Sequence, residues 1–153
     1  MEPTGTEEPI RLTWSNDRRT VVVTPEDQDR FVLTIEQAIE ACKAYDPKTR
    51  TRCKKAFDLL LTRLGDWLRM HTGNVSRAFL TRRDANLLFL VVMKDRKRDD
   101  KLEGELTDID LQIARDNRFS DFSVSALAIP QCETQGYLSF IDPEFWLEYK
   151  GIE

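Results

Sequence analysis

The sequence predicts an α+β fold: a mainly antiparallel sheet with a helical hairpin and a ββαβ unit, in the order ββααββαβα. Three observations lead to it. The hydrophobic period switches along the chain between two and about 3.6, which separates strands from helices. Like elements follow one another in runs, which argues for α+β with a mainly antiparallel sheet. Leu87 to Met93 is an unbroken apolar run of strand length, as expected for a strand buried on both faces.

Residues 1–9 hold three glutamates, two prolines and a glycine and read as a flexible tail; residues 10–153 read as one domain. Ile10, Leu12 and Trp14 alternate with Arg11 and Thr13, and Thr20 to Val23 is β-branched throughout, so a hairpin is expected across the turn residues Asn16 to Arg19. Thr24 and Pro25 mark a helix entry, at the least a short turn. A second start signal at Thr34, with Gln37 three residues on, predicts a helix whose apolar side is Ile35, Ala38, Ile39, Cys42 and Tyr45. The next helix is capped by Asp46 and opened by Pro47. Its stripe of Cys53, Phe57, Leu60, Leu61, Leu64, Trp67 and Leu68 runs on to about His71.

After Gly73 strands are predicted at Val75 to Arg82 and Leu87 to Met93, then a charged loop from Lys94 to Lys101. A further helix is expected from the Thr107 cap, with Leu106 and Leu111 as a hydrophobic staple. Phe122 to Ile129 is the next strand, stopped by Pro130. The aromatic segment from Gly136 to Tyr149 reads as one or two short helices broken at Asp142 and Pro143.

With 153 residues the chain can bury a core without metals or disulfides. Its hydrophobic share of 41%, charged share of 33% and net charge of −4 describe a globular domain with a charged surface. The acidic balance lowers the prospect of a dedicated nucleic-acid binder. The cysteines, Cys42, Cys53 and Cys132, lack CxxC spacing and read as free thiols of a reducing compartment. The N-terminus lacks signal-peptide character, and no apolar run is long enough for a membrane helix, so a cytoplasmic location without a membrane partner is expected.

No motif names a reaction. The six glycines are scattered and form neither GxGxxG nor GxxxxGK[ST]. His71 is the single histidine and reads as a residue at a helix C-terminus. Asp108 and Asp110 read as acids complementing a helix start. Asp142, Glu148 and Lys150 faintly echo the carboxylate-and-lysine sets of metal-dependent nucleases, a short and common pattern. Neither catalytic residues nor a cofactor are assigned.

Two surfaces remain as candidates. Phe145, Trp146 and Tyr149 could anchor another protein, since Trp and Tyr are enriched at interface hot spots. Lys48, Arg52 and Lys55 share one helix face, and Arg96, Lys97 and Arg98 follow the buried strand; on one side of the molecule these cations could hold phosphates or an acidic partner. The leading expectation is a non-catalytic protein-interaction or adaptor domain of a larger assembly. The alternative is a phosphate- or nucleic-acid-binding protein using the basic helix face, with a nuclease more remote.

Overall fold

The computed structural model describes residues 9–14, 21–41, 46–83, 86–97, 99–120 and 122–150. Strands β1 (Ile10–Trp14) and β2 (Val21–Val23) form the expected hairpin, with Leu12 opposite Val23. A 3₁₀ turn at Pro25–Asp27 leads straight into helix α1 (Gln28–Ala41). Helix α2 (Pro47–Arg69) begins as its residues dictate: Asp46 accepts the Thr49 N–H at 3.0 Å and Pro47 opens the helix. Late α1 lies beside early α2, because Glu36 pairs with Arg50 and Lys54, so the two helices are antiparallel.

Strands β3 (Val75–Arg83) and β4 (Asn86–Met93) pair antiparallel. Helix α3 (Asp100–Arg115) then returns the chain to β5 (Val124–Ile129), parallel to β4, and this completes the ββαβ unit. The short helix α4 (Thr134–Leu138) and strand β6 (Trp146–Tyr149) end the described chain. The fold is α+β with one mixed sheet, ordered β2-β1-β6-β3-β4-β5. Its antiparallel pairs are β1/β2, β3/β4 and β3/β6, and its parallel pairs are β1/β6 and β4/β5.

Strand alternation sorts the core onto two faces. Leu87, Phe89, Val91 and Met93 of β4 pack under α2 and α3 with Phe57, Leu64, Leu106 and Ile109. Leu88, Leu90 and Val92 face the other way and meet Phe79, Tyr137, Ile141 and Trp146. All seven are buried, as the apolar run predicts. Phe89 and Leu90 are fully buried, each contributing about 1.5–3 kcal/mol of burial free energy.

Three expectations are corrected. The helix expected from Thr34 starts at Gln28, because Phe31 joins Ile35 and Ala38 on the core stripe. The helix expected from Thr107 starts at Asp100: Asp99 caps it through the Leu102 N–H at 3.1 Å, and Leu102, Leu106, Ile109 and Ile113 form its buried stripe. Thr107 therefore sits mid-helix, bonded to the Glu103 carbonyl, and Leu111 points outward at 46% exposure. The stretch read as a second C-terminal helix is strand β6, inserted between β1 and β3. Phe145, Leu147 and Tyr149 join the core beneath the helices, and Trp146 faces the opposite layer.

Candidate interaction surface

The aromatic anchors expected near the C-terminus lie in the core. Phe145 is 0% exposed, Tyr149 6% and Trp146 8%. Phe145 stacks edge-on against Phe57 at 6.3 Å, and the Tyr149 hydroxyl donates to the Leu61 carbonyl at 2.7 Å. Burial raises the Tyr149 pKa well above its ordinary value. These side chains hold β6 in the sheet, so the three expected anchors are buried, and of them Trp146 lines a surface cleft.

The basic residues are exposed as expected but do not form one patch. Lys48, Arg52 and Lys55 project from the N-terminal part of α2. Arg96 and Lys97 are exposed after β4, and Arg98 lies outside the described residues. The Lys94 N–H donates to the Asn74 carbonyl at 3.0 Å, Asn74 to His71 at 3.0 Å, and His71 to Leu68 at 2.9 Å. That chain of bonds ties the second segment to the C-terminal end of α2. Arg52 lies about 25 Å from Arg69 along the helix, at about 1.5 Å per residue. The two segments thus occupy opposite ends of α2.

The nuclease-like carboxylates are separately engaged. Asp142 pairs with Arg82 at 2.8 Å. Glu148, only 2% exposed, receives Arg77 at 2.8 and 2.9 Å and Lys150 at 3.3 Å. Among the described residues, no group of three or more His, Cys, Asp or Glu is placed to hold a metal. His71 follows α2 as expected: Nδ1 lies 2.7 Å from the Trp67 carbonyl, Nε2 lies 3.4 Å from Glu105, and the ring stacks on Trp67 at 4.0 Å. Cys53 is buried and Cys132 exposed, while Cys42 lies outside the described residues. No helix among the described residues is long and apolar enough to cross a membrane.

A cleft of about 210 Å³ opens where α1 meets the start of β6, lined by Arg30, Leu33, Thr34, Gln37 and Glu144. It is smaller than the roughly 300–1,000 Å³ of common small-molecule pockets. Val32 and Leu33 beside it are 55% and 66% exposed.

A further feature is the rim of the sheet at β5. Among the described residues this strand ends the strand order and pairs with β4 alone. Its sequence, VSALAI, holds no charge and no proline, and none of its residues is fully buried. The Ser123 carbonyl accepts the Leu87 N–H at 2.8 Å, so backbone groups of the odd-numbered residues face β4. Those of Val124, Ala126 and Ala128 therefore face outward. Native edges are commonly blunted by charge, proline or a covering element; here the nearest guard is Asp110 of α3. Burial pushes the Asp110 pKa above its ordinary value, while the Ala126 N–H facing the carboxylate pulls it down. The sequence placed Asp110 at a helix start; it is mid-helix instead, because the helix begins earlier, at Asp100.

Comparisons with protein-family models, with curated proteins and with solved structures find no match.

Proposed function

We propose that the chain is a protein-interaction domain, an adaptor within a larger assembly, which offers the outer rim of β5 to its partner. One observation carries this reading: a six-residue uncharged strand at the end of the sheet with a backbone rim that meets no further strand among the described residues. Such a rim is a template for main-chain pairing with another polypeptide, where hydrogen bonds supply affinity and alternate side chains supply specificity. Cross-linking in an extract of the native host tests it. A photoreactive residue at Ser125, exposed on β5, should give protein adducts, and one at Lys55 on α2 serves as the comparison. Absence of protein adducts at Ser125 above those at Lys55 would remove the reading.

A second reading rests on the exposure of Lys48, Arg52 and Lys55 along one stretch of α2. Three cations engaging phosphates would give a salt slope, d log K/d log[salt], of about −2 to −3. Nucleic-acid adducts at Lys55, lost as salt rises, would favour it over the β5 reading.

A further inference from the structure

We propose that the outward face of α1 is a docking surface separate from β5, and that its occupant is an amphipathic helix of a partner protein whose apolar residues are flanked by lysines or arginines. The face adjoins a cleft lined by Ile10 of β1 and Trp146 of β6, and β6 lies three places from β5 in the strand order. Val32 and Leu33 project from α1, exposed at this cleft. Asp29, Val32, Leu33, Glu36 and Glu40 follow one another at helical intervals of three and four, so they share one stripe. The apolar pair is thus bracketed by acids along the helix. The cleft beside it suits a docked side chain better than a whole small molecule, given its size.

Charge decides among possible occupants. Asp29, Glu40 and Glu144, the last on the cleft wall, are exposed and pair with no cation among the described residues. Glu36 is already engaged by Arg50 and Lys54, and Arg30 of the cleft lies near enough to Asp27 to help lower its pKa. Glu40 is poorly placed for its own helix. It sits near the C-terminal end, where the dipole favours cations, and the last turn of α1 holds no basic residue. A lysine or arginine from a partner would complement it. Asp29 and Glu40 are eleven residues apart, about 16 Å and about three turns. Cations at the same spacing on a partner helix stand on one face of it and meet both acids. A second copy of this chain would set like charges against each other. An anionic lipid surface is repelled for the same reason.

The test uses the full chain and two capped helical peptides of about four turns, each with a leucine face, one flanked by lysines and the other by glutamates. Fluorescence anisotropy of the labelled peptides reads affinity. NMR reads the place of binding through the Val32 and Leu33 methyls and through the Trp146 indole N–H, which is buried without an acceptor among the described residues. The expected result is movement of these resonances and about tenfold tighter binding of the lysine peptide. Leu33→Ser should weaken that binding about tenfold, as loss of a buried leucine contact supports. Asp29→Lys with Glu40→Lys should remove the preference for lysine. Asp95→Lys with Asp108→Lys makes the same charge change at exposed residues outside α1 and should retain the preference. Equal affinities for the two peptides, resonances that move only elsewhere, or a control pair that costs as much as the α1 pair would overturn the proposal. Self-association in sedimentation that Leu33→Ser abolishes would overturn it in favour of a second copy. Binding to phosphatidylserine vesicles that Leu33→Ser abolishes would overturn it in favour of a membrane surface. The β5 reading is decided separately, by the Ser125 cross-link.

Discussion

Truncating Arg77 to alanine tests how the layer opposite the long helices is held to the sheet. Arg77 on β3 forks onto Glu148 of β6 at 2.8 and 2.9 Å, and a third nitrogen donates to the Tyr137 hydroxyl that ties in α4. Its guanidinium also lies 5.3 Å from the Phe79 ring centroid and 5.4 Å from that of Tyr137. Glu148 is 2% exposed, so removing Arg77 leaves a buried carboxylate with Lys150, at 3.3 Å, as its remaining cation. Breaking a buried pair from one side costs about 3–5 kcal/mol. Arg77 is itself 36% exposed and Lys150 persists, which places the loss at the lower end, about 3 kcal/mol. At about 2–4 °C per kcal/mol for a chain of this size, Tm should fall by about 6–12 °C. The double change Arg77→Met with Glu148→Leu should recover most of that loss, because no charge is then left buried alone. Urea denaturation followed by tryptophan fluorescence measures both, provided the m-value holds constant. A double variant no more stable than Arg77→Ala, or a single variant within about 0.5 kcal/mol of the parent, would refute the reasoning.

Three further outcomes are expected. Tyr149→Phe removes the bond to the Leu61 carbonyl and leaves that acceptor buried, so stability should drop by about 1–2 kcal/mol in chemical denaturation. Burial opposes ionisation of Asp27, but the Arg11 side chain at 2.9 Å and backbone N–H at 3.0 Å outweigh it and hold the pKa below its ordinary value of 3.8. Asp27 thus contributes stability that is full above 3.8 and lost as pH falls through the lower folded value; Arg11→Leu should flatten that acid limb of the stability–pH curve. Leu33→Ser, on a residue 66% exposed beside the α1 cleft, should change stability by less than about 0.5 kcal/mol, as read by thermal melting.

How far the sequence reaches depends on where the partners of each residue lie. Asp46, Pro47 and the stripe from Cys53 to Leu68 are local signals, and α2 follows them closely. The run Leu87 to Met93 needs no distant information to mark a doubly buried strand. Strand β6 was hidden by Glu148, whose place in the sheet interior depends on Arg77, 71 residues earlier. Phe145, Leu147 and Tyr149 carry a period of two that fits a strand, but the aromatic cluster around Pro143 fits an exposed anchoring segment as well. The start of α3 was masked by the dense charges from Lys94 to Lys101, which conceal that Leu102 and Leu106 belong to one stripe. The rim of β5 could not be read at all, since an edge is defined by strand order, and strand order emerged only with the sheet.

The position of β6 sets the order in which the molecule can be assembled. It joins β1 on one side and β3 on the other, yet it comes off the ribosome after every other strand of the sheet. Until then the β1–β2 hairpin has no strand to join it to β3, β4 and β5, which can already pair among themselves. The inner border of the hairpin stays unpaired while residues 24–145 are made, and during that interval it is open to wrong partners. Completion therefore hinges on four residues, Trp146–Tyr149, closing contacts that span nearly the whole chain, which predicts slow folding for its size.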